Sequence, residues 1–139
     1  MANTIHVDIV SAEGQIFSGE ATMVFAPGSQ GELGIAPRHA PLLTTLKAGE
    51  VRVQSEGHEE QSFYVGGGAM EVQPHLVTVL ADTAARARDL DEAAAMAAKQ
   101  RAEDAVRNSR DKVDVAQAQV ELARAIAQLA LIARLRKKT

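Results

Sequence analysis

The hydrophobic period of this chain changes near Arg86, and that change divides what it can fold into. Before it, short apolar or alternating runs rich in β-branched residues are separated by Gly, Pro, Asn, Asp and Ser, the pattern of strands and turns. Ile5–Val10, Ala21–Ala26, Glu50–Gln54, Gln61–Val65 and Val77–Leu80 are the predicted strands, with a hairpin tip at Glu56-Gly57-His58-Glu59. A strand and a turn signal every 8–12 residues or so argue for a sandwich or flattened barrel. Only Phe17, Phe25, Phe63 and Tyr64 are aromatic, so Val, Leu and Ile must fill that core.

Beyond Arg86 the pattern becomes helical, and no proline follows Pro74. Asp89 with Glu92 three positions on fits a capping box, predicting a first helix over Leu90–Val106. Arg107-Asn108-Ser109-Arg110 reads as a tight turn into a second helix, Lys112–Leu135, about 36 Å long at 1.5 Å per residue. The expected fold class is therefore α+β in two segregated parts. Residues 1–86 form an antiparallel β-sandwich, and residues 87–139 an antiparallel two-helix hairpin.

From Asp89 to Thr139 there are 14 alanines against 12 larger aliphatics. Alanine favours the helix but buries little; each Leu replaced by Ala forgoes about three carbons, near 0.8 kcal/mol apiece. A stripe of Val115, Leu122, Ile126, Leu129 and Ile132 is expected to seat the hairpin, weakly. Two readings stand: a static, closely packed hairpin, or an arm able to leave its sandwich and dock elsewhere.

Composition removes several function classes. There is no cysteine, so neither disulfides nor thiolate chemistry is expected. His6, His39, His58 and His75 fall on separate segments without metal-ligand spacing, so no metal or other cofactor is expected. No phosphate loop occurs, and Gly66-Gly67-Gly68 lacks the helix a dinucleotide fingerprint needs, reading instead as a bulge or turn. No serine sits in a G-x-S-x-G setting, and Glu59/Glu60 lie on a hairpin tip; no enzyme is expected. No apolar run reaches the ~18 residues of a membrane span and no signal pattern leads the chain, so a cytosolic protein is expected.

The net charge of −3 is unevenly divided: residues 1–86 carry −6 and residues 87–139 carry +3. From Ala123 onward there is no acid, while Arg124, Arg134, Arg136, Lys137 and Lys138 are basic. This is either an arm seeking an acidic surface or a helix end satisfying its macrodipole. Nucleic acid is not the expected partner, because the sandwich half is acidic and one Tyr with no Trp offers no stacking platform.

The run Gly28-Ser-Gln-Gly-Glu-Leu-Gly-Ile-Ala-Pro-Arg-His-Ala-Pro-Leu-Leu43 combines Gly28, Gly31, Gly34, Pro37 and Pro41 with anchoring Leu33, Ile35, Leu42 and Leu43. Glycines permit close backbone approach and prolines fix φ, leaving Glu32 and His39 on a stiff, shaped loop suited to docking. GELGIAPRHAPLLT in this run resembles the epsilon subunits of bacterial F-type ATP synthases. So do DIVSAEGQIFSGE at Asp8–Glu20, GGG-x-MEVQP at Gly66–Pro74 and VTVLADTA at Val77–Ala84.

That resemblance implies a non-catalytic rotor subunit at the foot of the central stalk. It would couple ring rotation to ATP synthesis on the cytoplasmic face of the bacterial inner membrane, reaching the membrane only through the complex. It further implies that Glu32 faces basic loops of the c-ring, where opposite charge sets register more than affinity, and that Ser11 and His39 face the gamma subunit. Family hairpins switch between folded-down and extended states, the latter contacting the alpha and beta subunits and blocking hydrolysis; Ser109 and Arg124 are the candidates here. Only differential binding to the two states can move such an equilibrium. Some members bind ATP through I/L-D-x-x-R-A on the first helix. Here Leu90, Asp91 and Ala95 fit but Ala94 replaces the arginine, removing a charge-assisted phosphate contact, so binding is expected to be absent or very weak even with Arg101 suitably spaced. The alternative is a stand-alone β-sandwich ligand- or protein-binding module with a static helical tail, its ligand held near Gly28–Pro41.

Overall fold

Strict alternation builds the first strand, β1 (Ile5–Ser11): Ile5, Val7 and Ile9 are buried, while His6, Asp8 and Val10 turn outward. The computed structural model describes residues 3–137, and the chain divides into two units at the Arg86/Ala87 boundary. In the first unit β1 is followed by β2 (Gly14–Ala21), β3 (Met23–Gly28), β4 (Gly31–Ile35) and β5 (Leu42–Gln54). β6 (Gln61–Gln73), β7 (Leu76–Ala81) and β8 (Ala84–Arg86) complete it. The hydrogen-bonded order is β2-β1-β7-β6-β5-β3-β4, with β8 also on β6. Neighbours are antiparallel except β1 and β7, which run parallel.

Two long strands turn this continuous sheet into a β-sandwich. β6 pairs with β8 through Phe63–Val65 and with β7 from Gly68 to Gln73, while β5 accompanies it on the other side throughout. The change of partner falls at Gly66-Gly67-Gly68, where Gly67 (φ 97°) and Gly68 (φ 135°) take backbone angles that side chains resist. One layer is β2, β1, β7 and the far halves of β5 and β6. The other is β4, β3, β8 and the halves that meet at the Glu56–His58 turn. β2 closes on β8, where Arg86 Nη2 donates to the Ile16 carbonyl at 2.9 Å, and on β6, where the Phe17 and Phe63 rings stand 5.3 Å apart. Between the layers Ile5, Ile9, Val24, Ile35, Val51, Phe63, Met70 and Val79 are removed from water, at about 25 cal/mol per Å² of apolar surface.

Several boundaries differ from expectation. Ala21–Ala26 is not one strand: Thr22 is a corner between β2 and β3, fixed by its N–H and hydroxyl donating to the Gln54 carbonyl. The polar, glycine-containing β2 had no alternation to reveal it. Strands predicted at Glu50–Gln54 and Gln61–Val65 are the ends of 13-residue strands, because glycines that read as stops are bends within them. The Gly28–Leu43 run is not one loop but a β3–β4 hairpin, a short connection and the start of β5.

The second unit begins with a 3₁₀ turn, Ala87–Asp89, followed by α1 (Glu92–Asn108) and α2 (Lys112–Arg136), which pack on each other. Asp89 does not cap the first helix. That role falls to Asp91, whose carboxylate accepts from the Ala94 N–H at 3.2 Å, since Asp89 is already inside the 3₁₀ turn. Asp111 caps α2 through the Val113 N–H at 2.8 Å. The seam is alanine: Ala95 and Ala102 on α1, Ala118 and Ala125 on α2, each pair one heptad apart and buried, with Leu131 beyond. Val115, Leu122, Leu129 and Ile132 flank this seam, but Ile126, expected within the stripe, is 48% exposed because Ala125 takes the inward position. Arg136 Nη2 donates to Glu92 Oε2 at 2.9 Å, joining the far ends of the two helices. Lys138, counted in the basic tail, lies outside the described residues. No helix among the described residues is long and apolar enough to cross a membrane.

Candidate functional site

The outer face of the β2-β1-β7-β6-β5 layer carries an apolar row that alternation does not require. Val10 pairs with Leu80, Leu80 with Ala69 and Ala69 with Thr45, so these four side chains cross four strands on one face. Leu80 is 54% exposed, and Leu43, one outward position from Thr45, is 73% exposed. Leu43, expected to anchor its run to the core, instead points outward, because the anchoring positions of β5 alternate with it. The available signal was Leu80 itself, an aliphatic on the outward phase of Leu76–Ala81, where Thr78 is polar.

Ser11 sits where β1 turns into β2, at the Leu80–Ala81 end of this layer. Its Oγ accepts from the Glu13 N–H at 3.2 Å, a local bond that shapes the turn. His39 lies in the connection between β4 and β5. Its Nδ1–H donates to the Ala40 carbonyl at 2.7 Å, and its N–H to the Ala36 carbonyl at 3.2 Å. The preceding Arg38, at φ 66°, donates its N–H to the Pro74 carbonyl in the turn between β6 and β7. Ser11 and His39 are thus not brought together: they lie at opposite ends of the layer, about 20 Å apart along strands rising 3.3 Å per residue.

Glu32 stands on β4 opposite Pro27 and is 58% exposed at its side chain. It is held rather than freely solvated. Arg52 Nη2 lies 3.3 Å from Glu32 Oε1, and Arg52 Nη1 lies 3.4 Å from Glu60 Oε2. The guanidinium covers the Phe25 ring at 4.3 Å, and Gln54 Nε2 donates to Glu60 Oε2 at 2.9 Å. Sequence reasoning missed Arg52, because its contact with Glu32 depends on β3 lying between β4 and β5, and with it the hold of Glu60 on Arg52.

On the β1–β2 edge a second polar ladder forms. His6 Nδ1 meets Glu20 Oε2 at 2.6 Å, and its Nε2 meets Asp8 Oδ1 at 3.0 Å; Ser18 Oγ donates to the same Asp8 oxygen at 2.7 Å. The Glu20 bond, with Asp8 assisting, raises the His6 pKa above the ordinary imidazole range. The Ser18 bond and His6 lower Asp8, while His6 and Thr4 lower Glu20. Both ring nitrogens face carboxylates, an arrangement satisfied by the doubly protonated ring. Nearby, an open groove is lined by Thr4, Phe17, Glu20, Ser55, Glu56 and His58. It includes no residue of Gly28–Pro41, where the stand-alone alternative would put its ligand.

In the hairpin, Ser109 caps the C-terminus of α1, its N–H bound to the Ala105 carbonyl at 3.0 Å, and Arg124 is half-buried on α2. Of the nucleotide-motif positions, Leu90 closes the 3₁₀ turn on the Ala87 carbonyl, Asp91 is occupied as the helix cap, Ala95 is buried in the seam and Arg101 is exposed. Asp91 and Arg101 lie ten residues apart, about 15 Å along the axis.

Residues 4–87 match a family model described as the beta-sandwich domain of the ATP synthase delta/epsilon chain. Residues 88–133 match its long alpha-helix domain. Among curated relatives, the ATP synthase epsilon chain of Nitrosococcus oceani is 64% identical over 99% of both chains. That of Alkalilimnicola ehrlichii is 63% identical over 98% of this chain and 97% of its own. In solved structures the same fold appears in a chain of the Euglena gracilis mitochondrial ATP synthase: TM-score 0.82, 18% identity, 94% of this chain and 82% of that one. A chain from the central stalk and c-ring of the Tetrahymena thermophila enzyme superposes with TM-score 0.66 at 10% identity, covering 92% and 96%. With both its sandwich and its helical hairpin matched in sequence and in fold, this chain belongs to the ATP synthase delta/epsilon chain family.

Proposed function

We propose that the chain is a non-catalytic rotor subunit of a proton-translocating ATP synthase. Its sandwich docks on the gamma subunit and the c-ring, and its hairpin restrains ATP hydrolysis by extending towards the alpha and beta subunits. The single observation that carries the docking half is the outward apolar row Val10–Leu80–Ala69 with Leu43 beside it. Exposed aliphatics crossing adjacent strands on an otherwise polar face mark a surface that is covered in an assembly. Ser11 and His39, at opposite ends of the layer that carries this face, are the gamma-subunit contacts in this proposal, and Glu32 is the c-ring contact.

The regulatory half is supported by the alanine seam. Small seam residues hold α1 and α2 together with little buried area, and alanine keeps each helix formed when contacts are exchanged. Ser109 and Arg124 would meet the catalytic head in the extended state. Residues 1–86 then form the dock and residues 87–139 the brake, on the cytoplasmic face of the membrane and peripheral to it.

The test is ATP hydrolysis by the cognate enzyme, stripped of this subunit and reconstituted with the full chain or with one ending at Ala87. Suppression by the full chain, with binding but no suppression by the short one, is the expected result. Equal behaviour of the two would remove the regulatory role, and failure of both to bind would remove the docking role.

A further inference from the structure

We infer that Arg52 is a positioning residue for Glu32, fixing its carboxylate while leaving the outer side open to a cationic side chain of the docking partner. The inference rests on the proposed role of Glu32 as the charged contact of the sandwich.

The sheet register brings the parts together. Phe25 on β3 pairs with Arg52 on β5 and with Gly34 on β4, and Pro27, two residues further along β3, pairs with Glu32. Glu32 and Arg52 therefore approach across β3 on one face of the sheet, over the Phe25 ring. That ring carries the guanidinium at 4.3 Å, and the absent side chain of Gly34 leaves the ring room: a Cβ there would come within 3.2 Å of Phe25 Cε1.

Each member is fixed from behind. Gln54 holds Glu60, whose side chain is only 16% exposed; Glu60 holds one end of Arg52, itself 24% exposed; and the other end of Arg52 reaches Glu32. Exposure rises outward along this chain to 58% at Glu32. A planar fork presents Nη1 to one carboxylate and Nη2 to the other while its flat face lies on Phe25, a combination that a lysine ammonium does not offer. Arg52 meets Glu32 at 3.3 Å through one oxygen only, so the carboxylate keeps acceptor capacity for an incoming cation. Two carboxylates and one guanidinium leave one net negative charge on the cluster, so Arg52 orients Glu32 without cancelling it. Ordering the side chain before docking reduces the entropy lost on binding.

The experiment is a double-mutant cycle on rebinding of the full chain to membranes carrying the cognate ATP synthase stripped of this subunit, at low and high salt. The variants are Glu32→Gln, Arg52→Met and the pair together; Arg52→Met keeps an unbranched apolar side chain on Phe25. Arg52→Met is expected to weaken rebinding about threefold to tenfold at low salt, and to add nothing once Glu32 is Gln. Arg52→Lys, which retains the charge but not the fork, is expected to fall between wild type and Arg52→Met, and serves if Arg52→Met does not fold. Wild-type rebinding by Arg52→Met, or losses that simply add in the pair, would overturn the positioning role while Glu32 stood. Wild-type rebinding by Glu32→Gln would overturn both.

Discussion

A Cβ placed on Gly68 would lie 2.1 Å from the carbonyl oxygen of Leu80 and 2.9 Å from the Ala81 Cα. That close approach is where β6 leaves one layer for the other. Gly68 pairs with Ala81 and Leu46 at φ 135°, and Gly67 receives the Asp82 N–H at 2.9 Å. Both the backbone angle and the space demand glycine. Gly68→Ala is expected to lower sandwich stability by about 2–4 kcal/mol through backbone strain and forced separation of β6 from β7. Gly14→Ala provides the comparison, since its φ of 129° is strained but nothing stands within 4 Å of its Cβ. Urea unfolding of the two variants measures the difference; equal losses would mean that the contact with Leu80 relaxes freely.

The His6 ladder makes the stability of the sandwich depend on pH from both sides. His6 is raised, so its contribution is complete below the ordinary imidazole pKa of about 6.5 and is lost as pH climbs through the higher folded value. Asp8 and Glu20 are lowered, so theirs is complete above the ordinary carboxylate range of about 4–4.5 and is lost as pH falls through the lower folded values. The ladder stabilises most between those limits, about pH 4.5–6.5. Melting temperature is expected to decline from about pH 6 towards pH 8.5 in the wild type, and to decline less in His6→Gln, which cannot carry the charge. Parallel profiles for the two proteins would assign the slope to other groups. His58 and His75 are the controls to substitute in turn.

How much of this was visible in the sequence follows from the range of the interactions. The period change at Arg86, both helices to within two residues, and the Glu56–His58 turn are set by local spacing, and spacing can be read. The extent of β5 and β6 could not be read, because Gly49 and Gly66-Gly67-Gly68 have the composition of turns, and the pairing of β5 with β6, and of β6 with β7, keeps them in strands. The capping-box spacing pointed to Asp89, and only the 3₁₀ turn over Ala87–Asp89 moves the cap to Asp91. At the candidate site, Glu32 was found through the motif around it. Arg52 is 20 residues away and adjacent to Glu32 only through β3, so no spacing rule connects them.

The hairpin should tolerate surface changes better than seam changes. Ala102 and Ala118 are 2% and 4% exposed, and a leucine at either would insert three carbons where the helices approach closely. Ala118→Leu is expected to cost about 1–3 kcal/mol of hairpin stability, whereas Ile126→Ala, at a 48% exposed position, should cost under about 1 kcal/mol. Trypsin cleavage at Arg107 and Arg110, followed in the full chain with helicity by circular dichroism, reports both. A slower cut in Ala118→Leu would mean that the seam has room, and that alanine is not what sets the spacing of α1 and α2.

Arg86 is the last residue of the sandwich and its closing tie. Its guanidinium donates to the Ile16 carbonyl at 2.9 Å and lies 5.7 Å from the Phe63 ring centre, so β8 is bound to β2 across the layer edge while Phe63 and Phe17 pack beneath. Removing the donor leaves a half-buried carbonyl without its charged partner, a loss of about 1–2 kcal/mol in Arg86→Met, in which the methionine still covers the ring. For a domain of this size that corresponds to roughly 5–15 °C in melting temperature. Arg86→Lys should recover part of it, because the ammonium is a donor with a shorter reach. If Arg86→Met melts as the wild type does, β2 is held at this edge by the contact of Phe17 with Phe63 on β6, and Phe17→Leu becomes the variant that opens the edge.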